Sequence, residues 1–199
     1  ETVGVGFLFA VNHHSAMKHA IGPRRELLTR TIFNLLGPLT NPAGAQRQVI
    51  GVYAKQWLRP IAEVLKSLGS THVLVVHSAD GLDEISIAAE TFVAELNNGA
   101  ISEYQIQPED FGLQRQSIDS LIVENSAQSL VLVEQALAGK HDEASDIVAL
   151  NAGAAIYVAG HCLDLAAGVD MARDAIGSGM ALEKFKDFVD FSRQIGEVG

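Results

Sequence analysis

Apolar residues near the middle of the chain predict a strand, a helix and a second strand. Residues 47–53 and 72–77 are short runs rich in β-branched side chains, which is typical of strands. Between them, residues 55–69 carry apolar side chains at helical spacing and stop at Gly69, with Pro60 near the start, where its missing N–H costs least. Three elements within about 30 residues predict a βαβ crossover joining two parallel strands.

The pattern changes after residue 90. Apolar residues alternate on both sides of Asn97-Asn98-Gly99, a turn sequence that indicates a β-hairpin. From about residue 126 onward the spacing is helical and predicts four helices: 126–138, 142–159, 164–176 and 180–194. We therefore expect an α/β fold with a mainly parallel sheet, an antiparallel hairpin and flanking helices.

Composition narrows the classes of function. The 199 residues are 48% hydrophobic and 19% charged, a globular balance. A net charge of −10 argues against a general nucleic-acid binder, and no apolar run approaches the ~20 residues that cross a membrane. The single Cys162 excludes a disulfide framework and a Cys-rich zinc site. We expect a cytoplasmic protein with neither nucleic acid nor membrane as a partner.

Positive charge is concentrated near the start of the chain. Residues 1–60 contain seven basic and two acidic residues, whereas residues 61–199 contain seven and 22. The densest part is residues 13–42, where four basic side chains accompany one acidic one: Lys18, Arg24, Arg25, Arg30 and Glu26. Such a segment either binds an anion or forms a solvated helix face, and charge alone does not decide between them.

Arg24 is the candidate for binding a carboxylate, because a guanidinium group can make two parallel hydrogen bonds to it. Gly22-Pro23 would interrupt a helix just before it and leave free N–H groups nearby. The alternative is that Arg24 and Arg25 are adjacent residues on a solvent-exposed surface, in which case at most one of them faces a binding site.

Three histidines lie in the same segment. His14 and His19 are five residues apart, which is off the i, i+4 face of a helical metal pair, and no Cys or acid completes a set with His13. We therefore favour His14 as a wall of a pocket over a zinc site.

An acidic loop follows the second predicted strand. Asp80, Asp83 and Glu84 lie within five residues, and Gly81 allows a tight bend. Ligands of open α/β sheets collect at the carboxyl ends of strands, and carboxylate oxygens suit Mg²⁺. The alternative is a helix start with Asp80 as N-cap and Asp83 as its partner. Against it, residues 84–87 alternate as in a strand, so we favour the metal.

Residues 151–160, NAGAAIYVAG, are rich in small side chains. They lack the glycine spacing of a phosphate-binding loop and fall within a helical pattern. We expect their glycine and alanine residues to permit close packing of helices.

These motifs, in this order, resemble the anthranilate phosphoribosyltransferase family of tryptophan biosynthesis. The resemblance rests on HHSAMKHAIGPRRELLTRTIFNLLGPLTNPA, then HSADGLDEIS, then EDFGL, and it extends through NAGAAIYVAG and AIGSGMALEKF. It covers essentially all 199 residues, and its most specific parts are RTIFNLLGPLTNPA and DGLDE.

The resemblance implies transfer of a phosphoribosyl group from phosphoribosyl pyrophosphate (PRPP) to the amine of anthranilate, with Mg²⁺ present. It implies that Arg24 binds the anthranilate carboxylate, that His14 and Met17 line its pocket or entry, and that Asp83 and Glu84 hold Mg²⁺ on the PRPP diphosphate. It further implies a catalytic domain of the nucleoside phosphorylase/phosphoribosyltransferase type and a homodimeric full-length enzyme.

The sequence also departs from the family. The family's G-T-G-G-D and K-H-G-N loops, which bind PRPP, do not occur here, and the chain begins with Glu1. We expect residues 1–199 to be the C-terminal part of the α/β domain, with an N-terminal helical domain missing, and to be inactive alone. Two alternatives stay open: a pyrimidine nucleoside phosphorylase-like enzyme, and a non-catalytic binding module on the same scaffold.

Overall fold

Two parallel strands and the helix that joins them form the first part of the sheet. The structure, a computed structural model, describes residues 2–8, 37, 39, 41 and 43–196. Strand β1 (Arg47–Gly51) pairs in parallel with β2 (His72–Ser78). A 3-10 turn leads into helix α1 (Leu58–Ser67), with Pro60 as its third residue. The predicted βαβ crossover is confirmed.

A hairpin completes the four-stranded sheet, whose order is β1-β2-β3-β4. Strands β3 (Thr91–Asn97) and β4 (Ala100–Ile106) are antiparallel and joined by Asn98 and Gly99, with φ angles of 48° and 84°. Left-handed φ at both positions is what an Asn-Gly hairpin turn requires.

The direction of β3 corrects one expectation. β2 and β3 are joined by a loop without a crossover helix, so β3 runs antiparallel to β2. Within the described residues, one of the three strand pairs is parallel, and the sheet is mixed rather than mainly parallel.

The four predicted C-terminal helices are confirmed within one or two residues at each end. They are α2 (Ser126–Leu137), α3 (Asp142–Ala159), α4 (Leu165–Gly177) and α5 (Met180–Gly196). The chain divides into two compact units. One, Gln46–Lys186, contains the sheet and most of the described helices, and the other comprises Glu1–Ala45 and Asp187–Gly199. None of the described helices is long and apolar enough to cross a membrane.

Helices cover both faces of the sheet, which explains why β2 is buried along almost its whole length. Helix α1 turns Leu58, Ile61 and Leu65 inward and packs on β2 and β3. On the other face, Leu74 and Val93 of the sheet join an apolar cluster with α3 and α4. The α3 and α4 members of that cluster are Leu150, Ala154, Val158 and Val169.

Helices α3 and α4 approach so closely that a side chain would not fit between them. A Cβ atom on Gly153 would lie 2.6 Å from the backbone N and Cα of Val169, and one on Gly168 would overlap the carbonyl oxygen of Gly153. The small-residue run 151–160 therefore serves close helix packing, as predicted.

A buried carboxylate on the same face ties three strands and a helix together. Glu95 of β3 is 8% exposed and accepts hydrogen bonds of 2.8 Å from His72 of β2, Tyr104 of β4 and Tyr157 of α3. The amide of Asn97 approaches it at 3.4 Å. The ring of His72 also meets the ring of Tyr157 edge to face, with centroids 4.8 Å apart.

These hydrogen bonds keep Glu95 ionised. Burial is the largest single effect on its pKa and would raise it, but the hydrogen bonds from His72, Tyr104 and Tyr157 together outweigh burial, so the pKa lies below its ordinary value of 4.5. Because a carboxylate only accepts, Nε2 of His72 carries the proton of their shared bond. Burial, together with the hydrogen bond to Glu95, raises the pKa of Tyr157 to about 12.

We predict that Glu95→Gln lowers the free energy of unfolding at pH 7 by about 1.5–3 kcal/mol, the range for hydrogen bonds to a charged group. A folded-state pKa below the unfolded one stabilises the protein above the unfolded value, and the contribution is lost as pH falls through the folded value. The difference between wild type and variant should thus shrink below about pH 4.5. Urea unfolding at several pH values measures it.

The matched control is Glu103→Gln on β4. Glu103 accepts a hydrogen bond of 3.0 Å from Arg59, but both side chains are about half exposed, so its loss should cost less than about 1 kcal/mol. An equal loss in both variants would show that the Glu95 network does not tie the sheet to α3.

Candidate functional site

The acidic loop lies between β2 and β3, at the carboxyl end of β2. It spans residues 79–90, and Asp83 and Glu84 both reach its surface, where the carboxyl group of Glu84 is partly covered by neighbouring atoms. The three residues predicted to bind anthranilate, His14, Met17 and Arg24, lie outside the described residues.

Asp80 holds the loop's own shape. Its Oδ1 accepts a hydrogen bond of 3.1 Å from the backbone N–H of Leu82, and its Oδ2 accepts one of 2.5 Å from the hydroxyl of Ser86. Partial burial would raise the pKa of Asp80, but the hydrogen bonds from Ser86 and Leu82 outweigh it and the net pKa is lowered. Both oxygens of this ionised carboxylate are thus engaged in local structure.

The helix-start alternative at Asp80 and the strand pattern seen in residues 84–87 are both wrong. No helix begins at Asp80, because its carboxylate closes a turn onto Leu82 and Ser86 instead. Residues 84–87 do not form a strand either: 85–87 are buried in succession, and the backbone N–H of Ser86 donates to the side chain of Thr91 rather than to the backbone of a neighbouring strand. The metal interpretation of Asp83 and Glu84 stays a prediction.

The end of β1 supports the loop at Asp83. A Cβ atom on Gly51 would overlap the carbonyl oxygen of Asp83 and lie 2.6 Å from its carbonyl carbon. Only a residue without a side chain permits this approach. A glycine inside a strand pattern is a known signal of close backbone contact, so the position could have been recognised from the sequence.

Helix α3 supports the loop one residue beyond Glu84. Asn151 accepts a hydrogen bond of 3.0 Å from the backbone N–H of Ile85 and donates one of 2.9 Å to the carbonyl of the same residue. Sequence reasoning missed this residue, although an amide within an otherwise apolar helical pattern was an available signal.

The other two carboxylates of the loop, Asp83 and Glu84, differ from Asp80 in having no partner within the described residues. Neither Asp83 nor Glu84 makes a hydrogen bond or an ion pair with any residue in the described part of the chain. Partial burial raises the pKa of Glu84, and the charge of Asp83 beside it raises that pKa further. A cation at this position would relieve the repulsion between the two charges.

An apolar cavity of about 410 Å³ lies beside Glu84. Glu84 and Leu82 border it at the loop, and the remaining lining comes from the segment before α2, from α2 itself and from α3. The aliphatic lining residues are Ile118, Leu121, Ile122, Leu132, Val133, Ile147 and Val148.

The donor set fits Mg²⁺ better than a transition metal. No group of three His, Cys, Asp or Glu side chains that could hold a metal occurs among residues 2–8 and 43–196 or the isolated described positions. Mg²⁺ commonly binds one or two carboxylates and takes its other ligands from water and substrate phosphates. Asp83 and Glu84 supply that pair of hard oxygen donors.

Comparisons with known proteins place these features in a family. The model of the "Glycosyl transferase family, a/b domain" matches residues 1–182. The chain is 63% identical over 195 residues to a protein from Marinomonas sp. (strain MWYL1) named anthranilate phosphoribosyltransferase, and 61% identical over 196 residues to one of that name from Hahella chejuensis (strain KCTC 2396). These matches cover 97% and 96% of this chain but only 56% and 57% of the relatives' lengths.

Solved structures agree with the sequence relatives. The anthranilate phosphoribosyltransferase of Thermus thermophilus matches with a TM-score of 0.87 and 42% identity, covering 97% of this chain and 57% of that one. The enzyme of Saccharomyces cerevisiae in complex with PRPP and Mg matches with a TM-score of 0.77 and 26% identity, covering 89% and 51%. The chain thus spans a little over half the length of the curated relatives it matches.

We predict that Gly51→Ala displaces the acidic loop and lowers the free energy of unfolding by about 1–3 kcal/mol, the usual range for overpacking. Urea unfolding measures the loss. Gly177→Ala, at the open end of α4 where no atom lies within 4 Å of the added Cβ, is the control and should be near neutral. Equal stability of the two variants would contradict the contact between Gly51 and Asp83.

Proposed function

Because the chain belongs to the glycosyl transferase family through its a/b domain, we propose that a full-length protein containing it transfers the phosphoribosyl group of PRPP to anthranilate. The products would be N-(5-phosphoribosyl)-anthranilate and pyrophosphate, in tryptophan biosynthesis. One observation carries the proposal: Asp83 and Glu84, which have no partner among the described residues, lie at the carboxyl end of β2. The chain that carries them is 63% identical to a relative named anthranilate phosphoribosyltransferase.

The family resemblance identified from the basic segment and the acidic loop is confirmed. The substrates carry over as part of the proposal, because the yeast relatives were solved in complex with PRPP and Mg and with 4-fluoroanthranilate. A homodimeric assembly and a cytoplasmic location belong to the same proposal.

Asp83 and Glu84 would hold Mg²⁺ against the PRPP diphosphate. The bound ion would offset the negative charge that develops on the departing pyrophosphate. The loop positions the two carboxylates. The hydrogen bond between Asp80 and Ser86 fixes its turn, and Gly51 lets the backbone of Asp83 lie close to β1. Such preorganisation matters because this displacement relies on positioning and charge stabilisation more than on acid–base catalysis.

Arg24 would bind the carboxylate of anthranilate, with His14 and Met17 lining the aromatic pocket or its entry. Support comes from the sequence motif and from the chemistry of the guanidinium group, whose planar fork matches a carboxylate. These three assignments are proposals from the family motif.

We predict that replacing Asp83 by Asn and Glu84 by Gln in the full-length protein raises the Mg²⁺ concentration needed for half-maximal PRPP use by about tenfold or more, because both anionic donors are lost. Steady-state rates at varied Mg²⁺ measure it. The matched control replaces Asp142 and Glu143, an adjacent acidic pair at the start of α3, by Asn and Gln. Unchanged metal dependence in the first variant would remove the pair from the metal site.

We predict that Arg24→Ala raises the KM for anthranilate about tenfold or more, which corresponds to about 1.4 kcal/mol of lost binding. Arg25→Ala is the control, because it removes the same charge at the next position while the family motif assigns the carboxylate contact to Arg24 alone. Product formation at varied anthranilate measures both values. A KM raised by Arg25→Ala alone would move the carboxylate contact to the neighbouring arginine. Phosphorolysis of thymidine or uridine by the wild type would favour a nucleoside phosphorylase instead.

A further inference from the structure

The stretch of the acidic loop that carries Asp83 and Glu84 is held from both sides by other elements. On one side the carbonyl of Asp83 lies against Gly51 at the end of β1. On the other side the amide of Asn151 makes two hydrogen bonds to the backbone of Ile85. The backbone between these supports carries the two carboxylates.

The contact at Ile85 fixes a peptide orientation as well as a position. Asn151 accepts from the N–H of Ile85 at 3.0 Å and donates to its carbonyl at 2.9 Å, as a neighbouring strand would do. The second N–H of the amide donates to the carbonyl of Ile147 at 2.9 Å, within α3. The amide can adopt only this orientation, because turning it over would place its NH₂ group against the N–H of Ile85.

Neither aspartate nor leucine at position 151 could make the hydrogen bonds that Asn151 makes. An aspartate could accept from Ile85 but would place a negative charge beside the carbonyls of Ile85 and Ile147. A leucine of similar size would leave the N–H and the carbonyl of Ile85 without these partners, and Ile85 is only 2% exposed. An asparagine satisfies all three backbone groups at once.

Helix α3 is itself fixed in place. Tyr157, further along the helix, donates to the buried Glu95 of β3, and Gly153 packs against the backbone of α4. An amide on a helix held in this way transmits the position of the helix to the loop it binds.

The remaining loop contacts act on either side of this stretch. Ser86 contacts Asp80 and Thr91, and the carbonyl of Ile87 accepts from the backbone of Gln116 at 3.0 Å. These bonds shape the turn and its return to β3. In the described part of the chain, none of them acts on the backbone between Asp83 and Ile85.

We propose that Asn151 is a positioning residue for the Asp83–Glu84 pair, so that the affinity of the site for a divalent cation depends on an amide that does not touch the cation. The inference rests on the proposed function, because it assumes that the pair binds a metal. Groups that orient metal ligands without contacting the metal typically lower its affinity by about 10-fold to 100-fold when they are removed.

The test compares Asn151→Ala with wild type in the full-length protein by two measurements that do not depend on turnover. Electron paramagnetic resonance of Mn²⁺, with PRPP present, gives the Kd of the cation. Hydrogen exchange followed by NMR gives the protection of the backbone amide of Ile85. We expect the Kd to rise about tenfold and the amide of Ile85 to lose its protection.

Two further variants separate positioning from general destabilisation. Asn125→Ala removes the side chain that accepts from Gln128 at the start of α2, which costs about 1 kcal/mol of stability away from the loop. It should change neither measurement. Asn151→Ser keeps a hydroxyl that can bond to Ile147 within the helix but is too short for Ile85, so it should repeat the effect of Asn151→Ala even if alanine prevents folding.

The replacement of Asp83 by Asn and Glu84 by Gln distinguishes the possible failures. If that variant binds Mn²⁺ weakly while both Asn151 variants bind it as wild type does, the positioning role is overturned and the proposed metal site stands. If all of them retain wild-type affinity, the proposed metal site is wrong and the positioning role falls with it.

Discussion

The carboxylate of Glu95 is the buried charge on which the arrangement of α3 depends. It is anionic in the core because side chains of β2, β4 and α3 donate to it, so its desolvation is offset only while those elements stay together. The close contact of Gly153 with α4 then leaves α3 little freedom to shift. Asn151, on the same helix, is thereby held in a fixed position relative to the backbone of the acidic loop.

Within that loop the acidic side chains have different tasks. Asp80 is engaged by Leu82 and Ser86, and its hydrogen bonds keep it ionised despite partial burial. Asp83 and Glu84 have no such partners among the described residues, and the charge of Asp83 raises the pKa of Glu84. One carboxylate therefore builds the loop, while the other two are the pair that we propose would hold a divalent cation.

Local signals predicted the elements, whereas contacts between distant residues could not be predicted. The helical spacing after residue 126 and the Asn98-Gly99 turn act over a few residues, and the structure confirms both. The mixed character of the sheet depends on the direction in which the loop after β2 leads into β3. The Glu95 network joins residues as far apart in the sequence as His72 and Tyr157. A glycine in a strand pattern and an amide in a helical pattern mark Gly51 and Asn151 in the sequence. Only the fold shows that both contact the backbone of the acidic loop.

A titration of the Glu84 carboxyl carbon by NMR tests the central claim that the fold presents Asp83 and Glu84 as a cation site. Without metal, the pKa of Glu84 should lie above its ordinary value of 4.5, because of partial burial and the charge of Asp83. With Mg²⁺ and PRPP present, the pKa should fall, because the bound cation favours the carboxylate. A titration curve that Mg²⁺ and PRPP leave unchanged would contradict the account.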